Sequence, residues 1–313
     1  MRYDIIGDVH GEYDSLVALL DKLGYERVAG GVWQHRERQA IFLGDFIDRG
    51  LKQKAVLDLV MPMVQQGTAL AVMGNHEFNA LAFHTECGKN NWLRPRNNKN
   101  LKQHMAFLWE YLGPGADSAD LDKVLAFFRT LPLWLDLEGL RIVHACWHPE
   151  SLGTIRQSCP SGLITEGFLH AANAESSDEH KALEIILKGL ELKLPNEKSF
   201  KDKDGTERRE IRVRWWDTAA KTYRAAYNGP EEARLDIPDD PIDANYAFAY
   251  GHHESPVFMG HYWFQGEPEV LAHNVACVDY SVAKPGGKLV AYQWDGEQEL
   301  SNDKFVWVER LDG

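Results

Sequence analysis

Phe42-Leu43-Gly44-Asp45, followed by Phe46-Ile47-Asp48-Arg49-Gly50, is an apolar run that stops at glycine and hands over to acidic residues. Apolar runs of this length bounded by glycine suit strands buried in a sheet. A glycine at a strand's end permits a tight turn or a close approach of backbone to a ligand. The same form recurs in Ile5-Ile6-Gly7-Asp8, Val72-Met73-Gly74-Asn75 and Phe258-Met259-Gly260-His261, and without the glycine in Ile142-Val143-His144. If all five strands end at one edge of a sheet, two Asp, one Asn and two His converge there, with His10 two residues after Asp8. That is the oxygen- and nitrogen-rich composition of a metal site.

The neighbouring segments support an alternating architecture. Leu16, Leu19, Leu20 and Leu23 mark a helix stopped by Gly24. Val56, Val60, Met63 and Val64 suggest a second, which Pro62 is expected to kink or end early. Residues 1–75 thus read β-α-β-α-β, which favours a sheet flanked by helices. From Phe78 to Thr130 the chain is mainly helical, with an irregular loop expected at Trp92–Lys102. Leu133–Leu137 and Leu140–His144 read as a hairpin about Glu138-Gly139. Ser199–Trp216 reads as two strands joined near Asp204-Gly205, and Pro and Asp crowd a linker at 236–243. Strands resume at Tyr246–Tyr250, Pro256–Met259, Val275–Val282 and Lys288–Trp294. The expected fold is α/β: one domain over 1–313, a β-sandwich with helices outside, carrying an inserted cap at about 150–244.

With 313 residues the chain can bury a sizeable core, and a net charge of −13 argues against a polymer nucleic acid as partner. A small anionic substrate held by metal ions and a few arginines remains compatible with that charge. Cys87, Cys146, Cys159 and Cys277 are scattered, with no disulfide framework or zinc knuckle. Cys146, two residues after His144, reads as a small buried residue. No stretch reaches the roughly 18 apolar residues of a membrane span. The expectation is a reduced, cytoplasmic protein without membrane partners.

Carboxylate, imidazole and amide oxygen without thiolate suit Mn²⁺, Fe or Zn²⁺ better than Ca²⁺ or copper(I). Six such donors are too many for one open catalytic site but suit two metals sharing a bridging carboxylate. Two divalent ions about 3.5–4 Å apart clamp a phosphoryl oxygen and generate a hydroxide nucleophile at neutral pH.

The segments Gly7-Asp8-Val9-His10-Gly11, Gly44-Asp45-Phe46-Ile47-Asp48-Arg49-Gly50 and Gly74-Asn75-His76-Glu77 together resemble the signature of the calcineurin-like metallophosphoesterases. The Asp48-Arg49-Gly50 ending is similar to the phosphoprotein-phosphatase branch, which includes bacterial serine/threonine phosphatases and symmetrical diadenosine-tetraphosphate hydrolases. The resemblance covers about residues 1–80, 140–150 and 250–295. It implies a metallophosphoesterase-type αββα sandwich and two divalent metal ions. Asp8 and His10 would bind the first metal, Asp45 would bridge both, and Asn75, His144 and His261 would complete the second. It further implies His76 as the general acid, Asp48 as the group that orients it, and Arg49 as a grip on phosphate oxygens. Met73 stands where many protein phosphatases of this branch carry arginine, and Ala145-Cys146 replace two glycines after His144. These departures weaken a specific reading as protein phosphatase; the preferred substrate is a small phosphorylated molecule or nucleotide, including dinucleoside polyphosphates, with a phosphoserine/threonine protein as the second reading. A catalytically silent scaffold would lack a ligand or the His76–Asp48 pair, and neither is missing.

His252 and His253 follow Tyr250-Gly251 and rival His261, but a surface loop is the plainer reading for them. Arg94, Arg96 and Lys99 follow the third motif closely enough to reach a substrate. Arg212 and Arg214 share one strand face with Glu210, opposite Ile211 and Val213, and read first as solvent-exposed. His84 and His148 carry no spacing argument and read as structural.

Overall fold

The computed structural model describes all residues except 29, 202–204, 244–247 and 312–313. Two mixed sheets face each other with helices outside. In the first, β1 (Arg2–Ile6), β2 (Arg38–Phe42) and β3 (Ala69–Ala71) run parallel. The second contains a hairpin of β4 (Trp134–Leu137) and β5 (Leu140–Val143), then β6 (Val257–Met259), β7 (Val270–Ala272) and β8 (Val275–Cys277). There β5, β6 and β8 are mutually parallel. β9 (Asp279–Tyr280), β10 (Lys288–Trp294) and β11 (Phe305–Glu309) return to the first sheet, with β10 antiparallel to β1. The α/β sandwich expected from the sequence is therefore the architecture observed. The five ligand-bearing strands nevertheless belong to two facing sheets rather than one.

Period-two alternation explains why these strands read as continuous apolar runs. Ile5, Ile41, Ile142, Phe258 and Ala276 fill the layer between the sheets. Their neighbours Ile6, Phe42, Val143, Met259 and Cys277 pack outward under the helices.

Two helices connect the three parallel strands, α1 (Tyr13–Leu23) and α2 (Gln53–Gln65), and α3 (Asn75–His84) follows β3. Pro62 does not end α2, because it sits in the last turn on a half-buried face, where few further backbone bonds depend on it. α4 (Asn98–Leu112) begins inside the expected loop. Its N-cap is Asn97, whose side chain accepts from Asn100 N at 2.9 Å, a local signal that the polar composition obscured. α5 (Ser118–Arg129), α6 (Pro149–Ser158), α7 (Glu166–Ala172) and α8 (Asp178–Lys188) follow.

In the 150–244 segment, Glu210–Arg212 pairs with Glu191–Lys193 rather than within the expected hairpin. Among the described residues of that hairpin Phe200–Lys201 pairs with Glu207–Arg208, and Asp204 of the expected turn lies outside the described residues. Residues 246 and 247 of the expected strand Tyr246–Tyr250 also lie outside them, and its described part, 248–250, is not strand. Val275–Val282 is two strands in two sheets, and β11 carried no strong sequence signal. Among the described residues no helix is long and apolar enough to cross a membrane.

Candidate functional site

Parallel register brings the strand ends to one edge. Ile6 pairs with Phe42 and Phe42 with Ala71, so the loops at Asp8, Asp45 and Asn75 emerge together. Opposite them, Phe258 pairs with Ile142, and Gly260 N donates to His144 O at 2.8 Å, placing His261 beside His144. The glycines are required here. A Cβ on Gly74 would strike the Asp45 carboxylate and backbone, and one on Gly260 would strike Asp8. His10, Asp45, Asp48, Arg49 and His261 all have positive φ, between 47° and 76°. Left-handed backbone is uncommon for such residues, and its clustering marks loops whose shape is imposed by the site.

Asp45 is the centre. Its Oδ2 lies 3.6 Å from His10 Nε2, 3.5 Å from His144 Nε2 and 3.8 Å from His76 Nε2. Asn75 Oδ1 lies 2.8 Å from His261 Nδ1 and 3.2 Å from His144 Nε2. Two donor groups result, His10–Asp45–His76 and Asp45–His144–His261, with Asp45 common to both. Asp8 reaches the same spot, its Oδ2 accepting from His261 N at 3.1 Å. Asp8 Oδ1 and His10 Nε2 are buried without a hydrogen-bond partner. Orphaned buried donors and acceptors of this kind are costly unless a ligand satisfies them.

The imidazoles differ in what holds their second nitrogen. His10 Nδ1 donates to Ile47 O at 2.9 Å and His144 Nδ1 to Leu43 O at 2.7 Å, which fixes each Nε2 lone pair toward Asp45. His76 Nδ1 instead meets the Asp48 carboxylate at 2.5 Å. Asp48 Oδ1 accepts from His104 Nδ1 on α4 at 3.0 Å.

Electrostatics follow from crowding. Burial, then Asp279 and Asp45, pushes the Asp8 carboxyl well above its usual range, with His144 opposing. For Asp45, burial is outweighed by His144 and His76, which hold it well below that range. Burial also opposes charge on His144, yet Asp45 raises it to about 10. His76 is raised by Asp45 and Asp48 against burial, whereas burial lowers His10 to about 3. Burial, then the Arg212 charge, depresses His261. Buried carboxylates that raise one another, ringed by imidazole nitrogens and an amide oxygen, form a donor set that fits divalent cations.

Two carboxylates escaped the sequence reading. Glu77 accepts from Asp45 N, Phe46 N and Gly74 N at 2.7, 2.8 and 3.0 Å, tying the second and third loops together. Asp279 opens β9, just past the Val278 crossing from β8, and accepts from Trp263 N and Ser281 N. Its signal was available: an apolar run ending in a polar residue without glycine, as at His144.

The surrounding cations divide clearly. Exposed Arg49 stacks on Trp263 at 4.0 Å, with Lys284 Nζ 4.1 Å from the same ring. Arg94 is held by Asn79 and Gln103, and Arg96 lies over Trp92 at 3.7 Å. Lys99 is exposed. Arg212 pairs with Glu191 at 3.6 Å and reaches Tyr262, while Arg214 donates to Ala225 O within its own segment. His252 stacks on His273 at 5.0 Å and His253 is exposed, so neither enters the cluster. His148 caps α6, His84 packs against His104, and Cys146 is a free buried thiol.

A family model described as calcineurin-like phosphoesterase matches residues 1–290. An asymmetrical bis(5'-nucleosyl)-tetraphosphatase of Halalkalibacterium halodurans is 50% identical over 76 residues, 24% of this chain and 31% of that protein. A symmetrical bis(5'-nucleosyl)-tetraphosphatase of Hamiltonella defensa is 30% identical over 158 residues, 50% of this chain and 48% of that protein. The chain thus spans about a third to half the length of these curated relatives. A cold-active protein-tyrosine phosphatase of a Shewanella species is similar at 19% identity and TM-score 0.48, over 95% of this chain and 79% of that one.

Proposed function

Since this chain belongs to the calcineurin-like phosphoesterase family, we propose that it hydrolyses a phosphoanhydride or ester of a small nucleotide, a dinucleoside polyphosphate being the preferred substrate. The carrying observation is the convergence of three imidazole Nε2 atoms on Asp45 Oδ2 at 3.5–3.8 Å, beside the orphaned Asp8 Oδ1. Asp8, His10 and Asp45 would hold one divalent cation, and Asp45, Asn75, His144 and His261 a second, Mn²⁺ being the preferred ion. Such a pair supplies Lewis-acid stabilisation of phosphoryl charge and an acidified water.

The chain's own residues do the rest. Backbone carbonyls on Nδ1 aim the Nε2 atoms of His10 and His144 into the cluster, where a cation would displace the proton that Asp45 favours on His144. His76 instead carries its carboxylate partner, Asp48, on Nδ1, and this marks it as the acid that delivers a proton to the leaving oxygen. Arg49, backed by Trp263, would grip phosphate oxygens through its planar fork. Residues 150–244 read as a cap, with Arg212 beside Tyr262 and its charge felt at His261. The nucleotide preference rests on the curated relatives, both named for bis(5'-nucleosyl) tetraphosphates. Four free cysteines, Cys87 exposed, fit a reducing cytoplasm.

A panel of dinucleoside tetraphosphate, aryl monoester, aryl diester and phosphoserine peptide on Mn²⁺-loaded protein tests the assignment. The tetraphosphate should show the highest kcat/KM, and its products identify the bond broken. Preference for the peptide would contradict the substrate class and favour the phosphoprotein reading.

A further inference from the structure

Asp48 is gripped from both sides. One oxygen meets His76 Nδ1 at 2.5 Å and the other meets His104 Nδ1 at 3.0 Å. An ionised carboxylate only accepts, so both rings present N–H to it. His104 is 5% exposed and comes from α4, outside every segment that carries the metal-site motifs. Its ring stacks on Phe107 at 4.6 Å and 23° and tilts against Phe83 at 5.1 Å. The packing leaves its Nε2 buried without a partner. A histidine needed only to fill this aromatic layer could be phenylalanine with no orphaned nitrogen. The useful atom is Nδ1, and it points at Asp48.

We infer that His104 is a positioning residue for proton delivery: its Nδ1–H locks the Asp48 carboxylate, which in turn aims the His76 ring at the leaving oxygen. The inference rests on the assignment of His76 as the acid. Asp48 sits at φ 63°, and its amide is held by Gln53 Oε1 at 2.9 Å. Its backbone is thus tied down separately, and rotation of the carboxylate is the freedom left for His104 to remove. Without that hydrogen bond one buried carboxylate oxygen loses its partner and the group turns to recover one. The His76 ring loses its fixed direction, while the Asp45 cluster keeps all its donors.

The test compares leaving groups, because a para-nitrophenolate departs without protonation and an alkoxide does not. His104→Phe keeps the stacked ring and removes the donor; His104→Asn restores an N–H near the Nδ1 position. His104→Phe should lose about 10–100-fold in kcat on an alkyl phosphate, less than about threefold on para-nitrophenyl phosphate, and leave KM and metal content unchanged. His104→Asn should recover much of the loss. His76→Asn must show the same selectivity more strongly. Equal losses on both substrates in His76→Asn would remove the acid assignment and the inference with it. Selectivity in His76→Asn but none in His104→Phe, or no rescue by asparagine, would overturn the inference alone. Should His104→Phe fail to fold, the wild type decides through the nitrogen-15 spectrum of its histidines. A downfield, exchange-protected Nδ1–H at His104 is expected, and a freely exchanging one overturns the proposal.

Discussion

The strand-end cluster and the 150–244 segment are built by opposite rules. At the cluster each donor follows its strand by one to four residues, so parallel register carries Asp8, Asp45, Asn75, His144 and His261 to one edge. In the 150–244 segment the contacts are between distant residues. Trp215 is fully buried and donates from Nε1 to Ala145 O at 3.2 Å and Tyr262 Oη at 2.9 Å, and Glu210–Arg212 pairs with Glu191–Lys193. The donor cluster is placed by local pattern; the 150–244 segment is placed by tertiary contacts.

If that division holds, substitutions in the cluster abolish turnover and those in the segment adjust it. Asp45→Asn should drive activity to background and lower bound metal on elemental analysis, since both donor groups share that carboxylate. His76→Ala should keep its metal and lose about 10²–10⁴-fold in kcat, read by steady-state kinetics. Glu77→Ala strands three buried amides and should destabilise the fold by roughly 3 kcal/mol in a denaturant titration. Metal affinity should fall with pH, because Asp45 outweighs burial and holds the metal-free His144 up to about 10. An ion taken by Nε2 displaces that proton, which weakens binding by about tenfold per unit fall in pH in calorimetric titrations. The smallest effect belongs to Trp215→Phe. It loses two hydrogen bonds but little packing, and should raise KM for a dinucleoside tetraphosphate a few-fold while sparing a small aryl phosphate. A Trp215→Phe variant as impaired as Asp45→Asn would break the division.

The same contrast explains what could be read from the chain. Glycine-bounded runs exposed the sandwich and its ligand-bearing ends, because glycine there answers a contact that a Cβ would block. His104 lay in a stretch already read as helical and was missed because nothing in the spacing links it to Asp48, 56 residues away; only the start of α4 looked like loop, although Asn97 is the cap that begins it. Asp279 was masked when Val275–Val282 was read as one strand; the chain changes sheets at Val278, and that break presents the carboxylate. Glu77 stood in the Gly74-Asn75-His76-Glu77 segment without a role, because only its Gly74 N partner is local while Asp45 N and Phe46 N come from another loop.

If the strand ends form a two-ion centre for phosphoanhydride hydrolysis, stripping the protein with chelator should abolish cleavage of a dinucleoside tetraphosphate. Measured additions of Mn²⁺ should then restore it, with saturation at two ions per chain; full turnover in the stripped protein, or saturation at a single ion, would rule such a centre out.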